Sequence, residues 1–216
     1  MSLIGKPMRP SPTEDLKPWF LTLADVGERL DRARFSEIDQ PLELDIGCGR
    51  GLFLVNAAVA NPDTNYVGIE IDYREGRRTA RRLKKRELGN ARVLGGDARI
   101  ALESLFGENS VSAVHVYFPD PWWKRKHRRR RIFTDTFLEL VARVLEPGGE
   151  LHSWTDVAEY FQVIQALVTH HPRFEELRAV DEHVPQHDMD YLTSYERKGR
   201  QSGSEIHRGR WKLLDE

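Results

Sequence analysis

The segment Leu42-Glu43-Leu44-Asp45-Ile46-Gly47-Cys48-Gly49-Arg50-Gly51 constrains this chain more than any other. A short apolar run ends in glycines at alternate positions, and Leu52–Ala60 then reads as a helix. Glycines at a strand-to-helix turn let backbone pass close to a ligand, at the strand end where open α/β sheets bind one. Beyond it the same rhythm repeats. Strands are expected at Tyr66–Ile71, Ala91–Gly95, Val111–Phe118 and Leu151–Thr155. Between them helices are expected at Arg74–Leu88, Ile100–Phe106, Phe133–Leu145 and Val157–His170. Tyr73, Ala80 and Leu83 are placed on one side of the second helix. Glu146-Pro147-Gly148-Gly149 reads as a turn. Such alternation predicts an α/β fold, a mostly parallel sheet with helices on both faces. Phe174–Val180 and Arg210–Leu214 read as closing strands, the second with an antiparallel option. Pro7, Pro10, Pro12 and Pro18 mark residues 1–18 as a flexible arm, and 19–40 is expected to hold a short helix. The boundary is therefore drawn between 1–36, the arm and short helix, and a single domain over 37–216.

The glycine spacing and its acids narrow the ligand. Dinucleotide folds use G-x-G-x-x-G, whereas this chain has Gly47-x-Gly49-x-Gly51 with Asp45 just before the loop. Glu70 closes the second strand, where a carboxylate accepts hydrogen bonds from ribose hydroxyls. Asp97 follows the third strand, within reach of an adenine amino group. Acids of this kind suit a sulfonium and an ammonium better than a pyrophosphate. The loop is accordingly read as a site for S-adenosylmethionine rather than a nicotinamide dinucleotide. Cys48 is read as a small residue that the loop requires, not as a nucleophile.

Charge is segregated. Between Asp72 and Arg131 stand 17 Lys/Arg and 7 Asp/Glu, a net of +10, while the whole chain carries −1. A dense basic middle predicts a polyanionic partner or, equally, solvated helix faces. Arg74, Arg77, Arg78, Arg81, Arg82, Lys84, Lys85 and Arg86 fall under both readings. The apolar segment around Val111–Phe118 is too short to cross a bilayer, no charged-then-apolar leader opens the chain, and one cysteine fits a reducing compartment. A cytoplasmic protein with no membrane partner is expected. His183-x-x-x-His187 is not read as a metal site, because Pro185 spoils helical spacing.

The fourth strand runs into Phe118-Pro119-Asp120-Pro121-Trp122-Trp123-Lys124-Arg125-Lys126-His127-Arg128-Arg129-Arg130-Arg131. Two prolines stiffen the backbone around Asp120, whose carboxylate is expected at the edge of the ligand crevice. With Gly68-Ile69-Glu70, Gly96-Asp97-Ala98, Thr155-Asp156 and Thr193-Ser194-Tyr195-Glu196, this segment resembles the tRNA (guanine-N7-)-methyltransferase family over roughly Leu42–Leu214. The resemblance implies a Rossmann-like, seven-stranded methyltransferase fold and methyl transfer to N7 of a guanine in tRNA, at position 46 of the variable loop. It implies cofactor contacts at Asp45, Gly47, Gly49, Gly51, Glu70, Asp97, Ala98 and Asp120, with Asp120 also the catalytic acid. It further implies substrate contacts at Lys124, Asp156, Thr193 and Glu196. RNA contacts are implied at Lys126, His127, Arg128, Arg129, Arg130 and Arg131. Asp45 stands where the family more often has Glu, one methylene longer.

Guanine N7 has an exposed lone pair and needs no deprotonation, so the task is alignment and charge management. Asp120 is therefore expected to act through electrostatics and position rather than as a base. Asp156 and Glu196 are candidate acceptors for the guanine N1–H and 2-amino group, with Lys124 or Thr193 donating to O6. Thr193-x-x-Glu196 also fits a helix capping box. Trp122 and Trp123 are candidates to stack on a base, with at least one expected to pack under the loop. The rivals are a small-molecule methyltransferase on this fold, which has no use for Lys124–Arg131, a nicotinamide oxidoreductase, and a non-catalytic RNA-binding protein. Monomer and homodimer stay equally open, and no obligate protein partner is implied.

Overall fold

A computed structural model describes residues 14–30, 40–179, 193–201 and 203–215. Eight strands form one mixed sheet: β1 (Phe20–Thr22), β2 (Leu42–Ile46), β3 (Asn65–Glu70), β4 (Ala91–Gly95), β5 (Val111–Tyr117), β6 (Leu145–Thr155), β7 (Phe174–Leu177) and β8 (His207–Leu213). Their order is β1-β4-β3-β2-β5-β6-β8-β7. The first six run parallel, while β8 is antiparallel to both β6 and β7. The helices are α1 (Leu23–Val26), α2 (Leu52–Ala60), α3 (Tyr73–Lys85), α4 (Ala98–Ser104), α5 (Asp135–Val144), α6 (Ala158–Thr169) and α7 (Ser194–Gln201).

The helices form where sequence gives both a start signal and an apolar stripe. Thr134 caps α5 by accepting from the Phe137 amide at 3.2 Å, and Phe137, Leu138, Val141 and Ala142 turn inward. Asp72 caps α3 through the Arg74 amide at 2.8 Å, with Gly76, Thr79, Ala80 and Leu83 buried at helical spacing. A side chain such as Phe137, fully buried here, contributes roughly 1.5–3 kcal/mol by leaving water. One core places α4, α5 and α6 against the sheet, and a second places α2 and α3 on the opposite face. Both faces are thus covered, as the alternation predicts.

Two expectations are corrected. The short helix expected within 19–40 is α1, but the arm reading fails at its end: Leu16 is buried, and Phe20–Thr22 adds an eighth strand paired with Val93–Gly95. A three-residue strand just after Pro18 carries too little pattern to be seen. The Glu146–Gly149 turn lies inside β6 as an irregularity, with Gly148 at φ 79° and the pairing shifting between Val111 and Ala113. Tyr73 meets Phe20 edge-on at 5.9 Å and is 47% exposed. His183 and His187 lie outside the described residues.

Candidate active site

Parallel β2 to β6 end on one edge of the sheet, and that edge carries the sequence-predicted acids: Asp45, Glu70, Asp97, Asp120 and Asp156. Glu70 is fastened from two sides. One carboxylate oxygen accepts the Gly49 amide at 2.8 Å and the other the Asp72 amide at 2.8 Å. Each oxygen keeps a further lone pair for a ligand hydroxyl. Gly47 and Gly49 hold φ of 73° and 52°, and a side chain at Gly47 would meet nothing within 4 Å. That is the open wall the loop offers to a ligand. Gly51 serves another purpose. A Cβ there would fall 2.1 Å from the Thr79 methyl, so this glycine seats the loop against α3. Thr79 returns a hydrogen bond from Oγ1 to the Gly49 carbonyl at 2.8 Å.

Asp45 is buried beneath the loop. Burial and the neighbouring Glu70 push its carboxyl up to about 8. A carboxyl held neutral by burial is the counterpart of a cation-binding pocket, since an ammonium beside it would restore the charge. Cys48 packs there too, its Sγ 2.8 Å from where a Gly68 Cβ would stand, and burial pushes its thiol well up, which fits filler rather than nucleophile.

The Asp45 titration has a sign. The unfolded carboxyl loses its proton near 4, the folded one near 8. The folded state therefore holds the extra proton between these values, and its stability falls as pH rises through that window. Asp45→Asn is expected to remove up to about 1.4 kcal/mol per pH unit of that slope. Urea unfolding at pH 5, 6 and 7 checks this: parallel slopes for the two proteins would refute the assignment.

Asp97 caps α4, accepting the Arg99 amide at 2.9 Å, and Ala98 follows it half-buried against the core. The Arg99 guanidinium, 2.7 Å from the Asp97 carboxylate, holds that carboxyl below its usual range. Sequence reading missed Arg99, although a cation two residues after a strand-end acid is visible in hindsight.

Asp120 is exposed on a loop pinned at both ends. Phe118 and Trp122 adopt φ of 52° and 42°, which bulky residues take only when surroundings impose it. The Phe118 amide donates to the Trp154 carbonyl at 2.7 Å, and its ring stacks on Tyr195 at 5.8 Å. Arg131 donates to the Pro121 carbonyl at 2.7 Å, while Arg130 lies 5.0 Å over the Trp122 ring and His127 meets that ring at 5.7 Å. Part of the predicted RNA-contacting run thus braces the loop, whereas Lys126, Arg128 and Arg129 are exposed. Trp122 is the half-buried indole and Trp123 the exposed one, at 52%. Asp120, Pro121, Trp122, Trp123, Lys124 and His127 line a hollow of about 320 Å³. Glu70 and Asp97 lie outside that lining.

The Thr193-x-x-Glu196 cap is present: Thr193 Oγ1 accepts the Glu196 amide at 2.9 Å. Buried Glu196 pairs with Arg208 at 3.4 Å, and Arg208 sits 4.9 Å over Trp154. Asp156 is exposed at the end of β6, where a Gly199 Cβ would lie 3.9 Å from its own Cβ. Tyr117 joins the two halves. Burial first, then Asp45, Glu43 and Glu196, push its phenol well up. Its hydroxyl is 2.9 Å from His115 Nδ1, and His115 Nε2 is 2.7 Å from Glu43. Tyr117, Trp154 and Arg208 were not singled out from sequence, because in a strand pattern they pass for core and surface.

Residues 39–209 match a family model described as "Putative methyltransferase". The chain is 36% identical over 206 residues to a tRNA (guanine-N(7)-)-methyltransferase of Rhodopirellula baltica, covering 93% of this chain and 76% of that one. It is 34% identical to the like-named protein of Hydrogenovibrio crunogenus, covering 91% and 79%. Among solved structures, the 16S rRNA methyltransferase KamB shares the fold at TM-score 0.59 and 19% identity, covering 85% of this chain and 91% of that one. A SAM-dependent methyltransferase from Aquifex aeolicus does so at 0.57 and 13%, covering 81% and 82%. With its glycine loop, strand-end acids and Pro-Asp-Pro-Trp segment in place, the chain belongs to the tRNA (guanine-N(7)-)-methyltransferase family.

Proposed function

We propose that this protein transfers a methyl group from S-adenosylmethionine to N7 of a guanine in tRNA, at position 46 of the variable loop. The observation that carries the reading is Asp120: an exposed carboxylate on a loop pinned at Phe118 and Trp122, with a cationic run directly behind it. Asp45, Glu70 and Asp97 would hold the donor, which supplies a methyl on a positively charged sulfur. The fit rests on the neutral buried Asp45 beneath the loop and on Glu70, whose oxygens each retain accepting capacity.

The chain's own work is then to present guanine in line with that methyl. Glu196, fixed by Arg208, and Asp156 accept from the pairing edge, and Lys124 or Thr193 donates to O6. Asp120 stabilises positive charge as it moves into the purine, and no proton need be removed first. Trp123 offers a face on which an unstacked base can lie. Lys126, Arg128 and Arg129 meet phosphates. No helix among the described residues is long and apolar enough to cross a membrane.

The test is incubation with unmodified tRNA and methyl-labelled donor, followed by aniline cleavage at N7-methylguanine. Cleavage at a single guanine of the variable loop is expected. Absence of label would defeat the enzyme reading, and label on another base would overturn the specificity.

A further inference from the structure

The basic face of α3 is divided by its own contacts. Its outer part is occupied by the chain: Arg77 donates to the Glu14 carbonyl at 2.6 Å, Arg81 pairs with the Glu14 carboxylate at 2.8 Å, and Lys84 reaches the Asp15 carbonyl at 3.1 Å. The other part faces the glycine loop. There Arg50, Arg78, Arg81 and Arg82 line a hollow of about 450 Å³. Arg82 is fixed by donating to the Arg50 carbonyl at 2.7 Å. A single carboxylate, Glu75, serves two of these cations, Arg78 at 2.5 Å and Arg50 at 3.4 Å.

With Arg81 held by Glu14, the Glu75 carboxylate alone stands against the other three guanidinium groups, which leaves an excess of positive charge. Burial, then Arg86 and Arg50, lower the Arg82 guanidinium, with Arg197 of α7 adding to the repulsion. Folding gains nothing by crowding these cations. An incoming anion does, because guanidinium groups bind phosphate oxygens in a fork. The hollow is open enough for a backbone to pass, since the Arg50 and Arg78 side chains are 62% and 50% exposed. It also opens beside the loop that carries Gly49 and Gly51, so whatever binds it lies next to the donor site.

We propose that the Arg50–Arg78–Arg82 hollow is a second phosphate-binding site for RNA, gripping the tRNA backbone on the side of the glycine loop away from the Asp120 loop. The inference rests on tRNA being the substrate. The two basic segments then hold one RNA across the reaction centre. Arg50 and Arg78 touch the phosphates, and Arg82 positions Arg50.

The test is the R50Q/R78Q double variant, with K85Q as a control that removes a cation from the same helix outside the hollow. Tight binding to unmodified tRNA is expected to weaken about tenfold at 0.1 M salt, and the slope of log affinity against log salt to fall by roughly 1.5–2. Turnover at saturating tRNA and affinity for S-adenosylhomocysteine should stay within twofold, and K85Q should weaken tRNA binding less than twofold. Unchanged tRNA affinity and slope in the double variant would overturn the proposal, as would an equal loss in K85Q. Aniline cleavage with the wild-type protein reads the substrate assignment separately. A wild type that binds tRNA through the hollow but transfers no methyl condemns only that assignment.

Discussion

Asp120→Asn lowers kcat about 100-fold at saturating tRNA and methyl donor, while thermal stability stays within about 0.5 kcal/mol of wild type. The substitution keeps shape and removes charge. Asp120 is exposed and its loop is held by other groups, namely the Phe118 amide on the Trp154 carbonyl and Arg131 on the Pro121 carbonyl. Little folding energy is therefore at stake. What is lost is a pre-organised negative charge beside a path along which positive charge travels, and one such group typically accounts for about two to three powers of ten in rate. Asp120→Glu restores the charge one methylene out of place and is expected to recover part of the loss. Single-turnover methylation with both variants measures this. Turnover of Asp120→Asn within threefold of wild type would end the electrostatic role.

Gly51→Ala is the second large effect, and it acts through the fold. At φ 67° an alanine is already strained, and its Cβ would lie 2.1 Å from the Thr79 methyl and 2.7 Å from Thr79 Oγ1. Neither atom has room to retreat, since Thr79 is fully buried and its hydroxyl holds the Gly49 carbonyl at 2.8 Å. Strain and overpacking together are expected to cost about 2–4 kcal/mol. The loop that moves also carries the Gly49 amide bonded to Glu70, so affinity for S-adenosylhomocysteine should fall at least tenfold. Urea denaturation and calorimetric titration check the two parts. In Gly51→Ala/Thr79→Ala the clash with the methyl and hydroxyl disappears, and more than half of the stability loss should return as a positive coupling. If the double variant is no more stable than the sum of the singles predicts, the contact is not the cause.

Much of the frame was legible because it is local. Leu42–Ile46, Leu52–Ala60 and Ala91–Gly95 form where the sequence reading put them, and the other predicted elements move by one to three residues except the strand expected at Leu151–Thr155, which starts six residues earlier at Leu145. Their signals are apolar runs, caps and glycines, each written within a few residues. The strand at Phe20–Thr22 was not legible, because its partner lies about seventy residues away at Val93–Gly95. The site divides in the same manner. Strand-end acids announce themselves by position, so Asp45, Glu70, Asp97 and Asp120 fall on one edge of the sheet. What orients the site is less visible: Arg208 on Glu196 and Thr79 under Gly49 are contacts between separate segments, and only Arg99 on Asp97 is local. The lysines and arginines of α3 show the limit most plainly. Alike in the sequence, they separate only when the chain is folded: Arg77 and Lys84 are held by Glu14 and Asp15, Arg78 and Arg82 line the hollow, and Arg81 does both.

The place of β8 between β6 and β7 has a consequence for synthesis. As the chain leaves the ribosome, β7 emerges well before β8, its only strand neighbour among the described residues, and β6 waits with one edge bare. Two rows of unpaired amides and carbonyls stay open to other chains until His207–Leu213 inserts between them. Arg210, donating from Nε and Nη2 to the two Glu150 carboxylate oxygens at 2.7 and 2.5 Å, latches that insertion. Nascent chains halted before residue 207 should accordingly be the ones that aggregate.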